Sequence, residues 1–521
     1  MSDESKAVSI KPREYQINIF NVARRRNSLV VLPTGLGKTL IAAMVAEDVM
    51  NRGGKVLFMA PTKPLVSQHL ETFSKFLNLK PPDIFSFTGE IDSIDRRFYW
   101  AKSKVIVSTP QVVWNDMRRG DLDISDFGLL IFDEAHRATG NYAYAMISKK
   151  FLESRSRLIL AMTASPGGSK EKLEEIRSTL GIEEVLIKSE TDPDVSPYVG
   201  GISIRTIVLD LPPELEGIGR TLKSIMNPFQ EKLSNAGILR SNRASRKELA
   251  SKIPQLVERA KEGNPALFSL IPYVTALIRL DYVLEYVESQ GASVAYEYLK
   301  NILESDDNSI RRTARILEKV PATAELLNSL ERAASNDESN PKLKKTLQLC
   351  EEKILANPES RIIVFTHFRK TASIVNSYLE QHSTLLRPVK FVGQASKEGD
   401  AGMSQKEQDE ILSKFRSNVY NVLVATSVAE EGLDIPSTDL VIFFEPVPSE
   451  IRTIQRRGRT GRLRAGDVYI LMYSGTRDAG YYYSSRKKEA TMGKNIEKAV
   501  ESIEKSSSRK RKGTTNLDDF F

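Results

Sequence analysis

Ser28-Leu29-Val30-Val31-Leu32-Pro33-Thr34-Gly35-Leu36-Gly37-Lys38-Thr39 is an apolar run that ends in a glycine-bearing loop, after which Leu40-Ile41-Ala42-Ala43 opens a helical stretch. Strand, small-residue turn and helix in that order make the unit of a parallel sheet with crossover helices. The turn also reads as a phosphate cradle. Backbone N–H groups around Gly35, Leu36 and Gly37 and the positive helix N-terminus face an anion, Lys38 adds a point charge, and Thr39 offers a hydroxyl to Mg²⁺. Leu32 stands where the usual spelling of such a loop begins with glycine.

The unit recurs downstream of that stretch. Lys55 to Met59, Lys104 to Ser108, Gly128 to Phe132 and Leu158 to Met162 are similar Val/Ile/Leu-rich runs separated by helical spacing, so residues 1–200 are expected to form a doubly wound α/β domain. The pattern returns at Arg361 to Phe365, Val389 to Val392, Asn421 to Ala425, Asp439 to Phe444 and Asp467 to Met472, giving a second α/β domain over 341–490. Between them, 201–340 carries apolar residues at steps of three and four, as in Leu267, Leu270, Ile271, Val274, Leu277 and Ile278, and is expected to be a helical insertion. Residues 491–521 form a polar, basic tail with the composition of a disordered segment.

With 521 residues and 40% hydrophobic composition the chain can bury ordinary cores. The N-terminus has no charged-then-apolar leader and no apolar run of about 18 residues stands out, which points to the cytoplasm, or the nucleoid in a prokaryote, with no membrane partner. The single cysteine, Cys350, excludes an internal disulfide, and four scattered histidines argue against a transition-metal site. A net charge of +8 mildly favours a polyanionic partner. Arg240, Arg243, Arg246 and Lys247 cluster at the start of the insertion; they are candidate nucleic-acid contacts, with a solvated helix face as the competing reading.

Asp133-Glu134-Ala135-His136 follows Leu129-Leu130-Ile131-Phe132, so both carboxylates leave a strand at its C-terminal end, where open α/β sheets bind ligands. Asp133 suits the magnesium shell, and Glu134 suits a base that orients and deprotonates water. Far downstream, Gln455-Arg456-Arg457-Gly458-Arg459-Thr460-Gly461-Arg462 places Arg459 and Arg462 three apart, on one helix face. Guanidinium groups that meet a γ-phosphate contribute on the order of 10³ to 10⁵ in rate in related NTPases. A nucleotide held by the first domain and completed by the second is what a nucleic-acid motor requires.

Taken together these stretches resemble the superfamily 2 helicases, in the family's order and across nearly the whole chain. The resemblance implies two RecA-like domains, ATP as cofactor with Mg²⁺, and roles for further residues. Arg13 and Gln16 look like the adenine-reading element. Thr62 and Lys63, Thr88 and Gly89, and Thr109 look like the strand-tracking loops of the first domain, and Thr366, Gln394 and Thr426 like those of the second. His136, Thr163 and Ser165 resemble the coupling between hydrolysis and movement. Gly432 and Asp434 resemble a nucleotide-sensing element, with Gln455 a link between nucleotide and nucleic acid. Hydroxyls and backbone amides at loop tips grip phosphates without reading bases, so little sequence preference and a marked salt dependence are expected.

Within the superfamily, Asp-Glu-Ala-His with a helical insertion between the motor domains is similar to the archaeal Hef helicases and their FANCM relatives. That implies branched DNA, such as forks and junctions, in replication-fork repair, with the insertion clasping duplex. The RIG-I and Dicer helicases share the layout, which keeps a duplex-RNA helicase or sensor open, and a non-catalytic, nucleotide-switched DNA clamp is a third reading. Many Hef proteins continue into an XPF-like nuclease, whose Glu-Arg-Lys-x-x-x-Asp signature is not in this sequence, so the motor alone is expected. The final residues resemble a sliding-clamp docking peptide, with Leu517, Phe520 and Phe521 at i, i+3 and i+4.

Overall fold

The computed structural model describes residues 11–484 and 487, apart from 34, 90–92, 154–157, 165–169, 190–191, 199–202, 240–243, 336–339, 395–401, 427–437, 447–465 and 485–486. The first domain is a seven-stranded, wholly parallel sheet. Its strands are β1 (Ser28–Val31), β2 (Lys55–Met59), β3 (Ile84–Phe87), β4 (Val105–Ser108), β5 (Phe127–Phe132), β6 (Ile159–Thr163) and β7 (Glu184–Ile187), in the order β3-β4-β2-β5-β6-β1-β7. Helices α1 (Glu14–Ala23), α2 (Lys38–Asn51), α3 (Lys63–Phe76), α4 (Ser93–Lys102), α5 (Pro110–Arg119), α6 (Ala143–Phe151) and α7 (Lys170–Thr179) cover it.

The continuous apolar runs have a physical reason, because successive residues of each strand enter opposite cores. Val30, Val56, Phe58, Ile131 and Met162 pack with Ile41 and Val45 of α2 and Phe73 of α3. Their neighbours Leu29, Leu57, Met59, Leu130 and Ala161 pack on the other face with Val113, Ile147 and Ile176.

The second sheet is also parallel, with six strands in the order β10-β11-β9-β12-β13-β8. It contains β8 (Ser203–Leu209), β9 (Ile362–Phe365), β10 (Pro388–Phe391), β11 (Val422–Ala425), β12 (Leu440–Phe443) and β13 (Asp467–Tyr473). β8 runs beside β13 for its full length, Ser203 opposite Asp467 through Leu209 opposite Tyr473. The chain therefore enters the second domain before the insertion starts, which differs from an insertion beginning at 201. The helical part begins instead at α8 (Pro213–Asn235) and continues through α9 (Arg246–Lys261), α10 (Ile271–Ser289), α11 (Ala292–Glu304), α12 (Asn308–Glu318) and α13 (Pro321–Ala334). Then α14 (Pro341–Ala356), α15 (Arg369–His382) and α16 (Gln405–Arg416) flank the second sheet.

One stretch of the insertion, Pro265–Ser289, is long and apolar enough by composition to cross a membrane, which the sequence reading did not single out. It holds the centre of the insertion's core. Val274, Leu277, Leu280, Val283, Leu284 and Val287 are buried there against Leu222 and Phe229 of α8 and Leu299 of α11. Three of its polar residues, Asp281, Glu288 and Ser289, reach the second domain. Asp281 pairs with Arg477 at 2.8 Å and Glu288 with the same guanidinium at 3.3 Å. Ser289 Oγ donates to Asp478 Oδ1 at 2.7 Å, while fully buried Lys342 reaches Asp478 Oδ2 at 2.6 Å and the Ser289 carbonyl at 2.9 Å. Insertion and second domain are thus joined through buried charges that satisfy one another.

Candidate active site

The phosphate-loop segment leaves β1 with the Leu32 N–H donating to the Thr163 carbonyl at 3.1 Å. Gly35 and Gly37 take φ values of +88° and +80°, and Gly37 caps α2. Glycine is required at 37 on two counts, since a Cβ there would also collide with Gln16 Nε2. That amide donates to the Leu36 carbonyl at 3.0 Å, Tyr15 Oη donates to the same oxygen at 2.8 Å, and the Arg13 N–H donates to Gln16 Oε1 at 2.9 Å. Gln16 therefore holds the loop itself. The Arg13 guanidinium lies 4.7 Å over the Tyr198 ring. At the other end of the loop Lys38, the first residue of α2 with Thr39 next to it, donates from Nζ to the Leu32 carbonyl at 2.8 Å.

Sheet order places β6 between β5 and β1, so the residues ending those strands share one edge. Asp133 follows β5 and is buried; His69 of α3 donates from Nε2 to its Oδ2 at 2.9 Å. Burial pushes this carboxyl upward, but the His69 hydrogen bond and the Lys38 charge outweigh that and hold it below the usual carboxylate range. Its backbone is fixed too: Tyr144 Oη donates to the Asp133 carbonyl at 2.8 Å and lies 3.1 Å from that of Met59. Glu134 sits in the left-handed region at φ +49°, strain of the kind found at working sites, and its carboxylate lies 3.2 Å from His136 Nδ1. The same nitrogen is 3.1 Å from Thr163 Oγ1 at the end of β6. His136 Nδ1 thus lies within reach of both the Glu134 carboxylate and the Thr163 hydroxyl. Ser165 lies outside the described residues.

The other half of the sheet, β3-β4-β2, carries the expected tracking loops. Thr62 and Thr109 cap α3 and α5, Lys63 opens α3, Thr88 and Gly89 follow β3, and the Thr62 hydroxyl is buried without a hydrogen-bond partner. In the second domain Thr366, Thr426 and Gln394 follow β9, β11 and β10, three neighbouring strands. Thr366 Oγ1 donates to the Phe368 carbonyl at 3.1 Å, and Gln394 Nε2 donates to Gln405 at 2.7 Å. Gly432, Asp434, Gln455, Arg459 and Arg462 lie outside the described residues, as do Arg240, Arg243, Leu517, Phe520 and Phe521. Lys247 is exposed on α9.

Arg246 departs from the expectation of a nucleic-acid contact. Its guanidinium pairs with Asp281 at 3.1 Å and with Glu285, and it lies 4.2 Å over the Tyr282 ring. Two carboxylates that sequence places 35 and more residues away neutralise it, so its charge serves the junction between α9 and α10. Three residues of the site carried no recognised signal in the sequence. Tyr15 and Tyr144 act through single hydroxyls on backbone carbonyls, which no spacing reveals. His69 was traceable, since it falls between Val66 and Phe73 on the buried face of α3, where a polar side chain must have a reason.

Comparison with known proteins agrees with this geometry. Residues 9–168 match a profile described as "Type III restriction enzyme, res subunit", and 342–464 match "Helicase conserved C-terminal domain". The crystal structure of the Pyrococcus furiosus Hef helicase domain is 41% identical, covers 91% of this chain and 98% of its own, and superposes with a TM-score of 0.70. The chain belongs to the Hef helicase family. It has the architecture of a superfamily 2 helicase domain, two parallel-sheet α/β domains and a helical insertion. A Methanocaldococcus jannaschii protein named as an ATP-dependent RNA helicase is 39% identical over 94% of this chain and 61% of its own length. The "DEAD-box ATP-dependent DNA helicase Fancm" of Drosophila melanogaster is 35% identical over 89% of this chain and 33% of its own. The "ATP-dependent DNA helicase mph1" of Aspergillus fumigatus is 33% identical over 90% and 45%. This Hef-family chain therefore spans less than two thirds of each of these three relatives.

Proposed function

We propose that the protein uses ATP to translocate on and remodel or unwind branched DNA, forks and junctions, in replication-fork repair. The observation that carries this reading is the division of one sheet edge: β5-β6-β1 ends in nucleotide-type residues and β3-β4-β2 in hydroxyl-bearing loops. Lys38, Thr39 and the backbone of Gly35 to Gly37 would hold the phosphates. Magnesium fits the oxygen donors present, a low-pKa Asp133 carboxylate and the Thr39 hydroxyl, since this ion binds through one or two carboxylates plus phosphates and water. It would neutralise developing charge on the phosphates. Glu134 would orient the attacking water, and Arg459 and Arg462 of the second domain would meet the γ-phosphate.

Fancm and mph1, relatives whose names specify DNA, favour the DNA reading; the M. jannaschii name favours RNA as the second one. ATPase stimulation compared across single-stranded DNA, duplex DNA, forked DNA and duplex RNA at one salt concentration separates them. Forked DNA is expected to stimulate most. Highest stimulation by duplex RNA would move the protein to the RNA class, and no stimulation by any of the four would leave the nucleotide-switched clamp. The work would take place in the cytoplasm, or on the nucleoid of a prokaryote. Docking on a sliding clamp through Leu517, Phe520 and Phe521 is proposed from the sequence. A C-terminal peptide should bind purified clamp and lose that binding with Phe520→Ala and Phe521→Ala together; equal affinity of the two peptides would end the idea.

A further inference from the structure

α3 links the loop after β2 to the residue that ends β5. Its N-terminus is the Thr62-Lys63 loop, and two turns on His69 contacts Asp133, which ends β5. His69 is 5% exposed, its ring lies 4.3 Å from that of Phe58, and its Nδ1 is buried without a hydrogen-bond partner. An apolar residue would fill the gap between Val66 and Phe73 without leaving a nitrogen unsatisfied. The one hydrogen bond this side chain makes is thus the reason for a histidine here, and it goes to the carboxylate oxygen turned toward α3. A donor fixed on one oxygen of a carboxylate helps to set its plane, here beside the Glu134 N–H that bonds the same group, and further lone pairs remain for a cation.

We propose that His69 is a positioning residue for Asp133: it orients the carboxylate for Mg²⁺ and ties that orientation to the placement of α3, whose first turn is the nucleic-acid loop. The inference rests on Asp133 being the magnesium-directing group. Binding of a fluorescent, non-hydrolysable ATP analogue to the full chain, followed against Mg²⁺ concentration with and without forked DNA, tests it without turnover. His69→Leu should raise the half-saturating Mg²⁺ concentration by about tenfold or more, as loss of an outer-shell partner does elsewhere. It should also remove any shift of that midpoint caused by forked DNA. His69→Gln, whose amide can still donate to Oδ2, should restore both, whereas His69→Asn, too short to reach, should resemble His69→Leu and serves as the second variant should leucine impair folding. A wild-type midpoint in His69→Leu or His69→Asn beside a raised one in Asp133→Asn would overturn the role of His69. An unchanged midpoint in Asp133→Asn would remove the assignment of Asp133, and the proposal with it.

Discussion

Glu134 is the residue at which backbone and chemistry meet. A non-glycine side chain at φ +49° is held there by its surroundings, and those are a buried aspartate before it and a 3₁₀ turn, Ala135–Arg137, after it. The turn brings His136 round to Thr163, so the strain has a visible product: one imidazole in contact with both β5 and β6 ends. Glu134→Gln keeps size and hydrogen-bonding capacity but removes the carboxylate proposed as the base. It should bind ATP as the parent does and hydrolyse it about 10² to 10⁴ times more slowly in steady-state assays. Hydrolysis at the parent rate would move the base elsewhere. At this scale the sequence was informative where a motif joins a strand end, as at Lys38 and Asp133. It was silent where one hydroxyl meets a carbonyl across the sheet, as Tyr15 does with Leu36, and it misled at Arg246, whose partners Asp281 and Glu285 lie on a helix that folding brings alongside.

Among the elements, α4 and α5 form the support beneath the loops that follow β3 and β4. Asp116 of α5 is fully buried and accepts from Arg96 Nε at 2.7 Å, Arg96 Nη2 at 2.8 Å and Trp100 Nε1 at 2.9 Å, both partners being on α4. Burial pushes this carboxyl up, but the Arg96 and Trp100 hydrogen bonds bring it below its ordinary value. Removing it takes these three hydrogen bonds out of the core beside a buried guanidinium, so Asp116→Ala should lower stability by about 3 to 5 kcal/mol in denaturant melts, the usual cost of breaking a buried pair. Because the folded-state pKa is the lower one, the contribution is complete above the unfolded value of about 3.9 and is lost as pH falls through the folded value. The gap between parent and Asp116→Ala should therefore close only in acid. A gap unchanged between neutral and strongly acidic pH would show that Asp116 acts through packing instead. Strand legibility followed burial in the same way for most strands, the half-buried edge strand β10 being expected from its sequence all the same. β1, β2, β5 and β9 are apolar on both faces and stood out, whereas β3, β7 and β8 lie at sheet edges, half-buried or, like Ile204 and Val208, exposed, and gave no continuous run.

For the whole molecule, the outline of two sheets and a helical insertion was readable because each has its own periodicity, but the way they are joined was not. The junction depends on Lys342, Ser289 and Asp478, three polar residues far apart in sequence whose burial is fixed by folding alone. Nor does periodicity show that β8 belongs to the second sheet. That topology leaves one covalent passage between the two sheets among the described elements, from β7 to β8. The passage is fastened to the first domain by the Lys188–Asp194 pair at 2.7 Å and by Tyr198, which lies against both Arg13 and Tyr15. The one covalent passage between the halves among the described elements is thus pegged to α1, the helix whose Tyr15 and Gln16 also hold the loop after β1. The chain that joins the halves and the loop after β1 share the same few side chains, so a displacement of one half has a direct mechanical route to that loop.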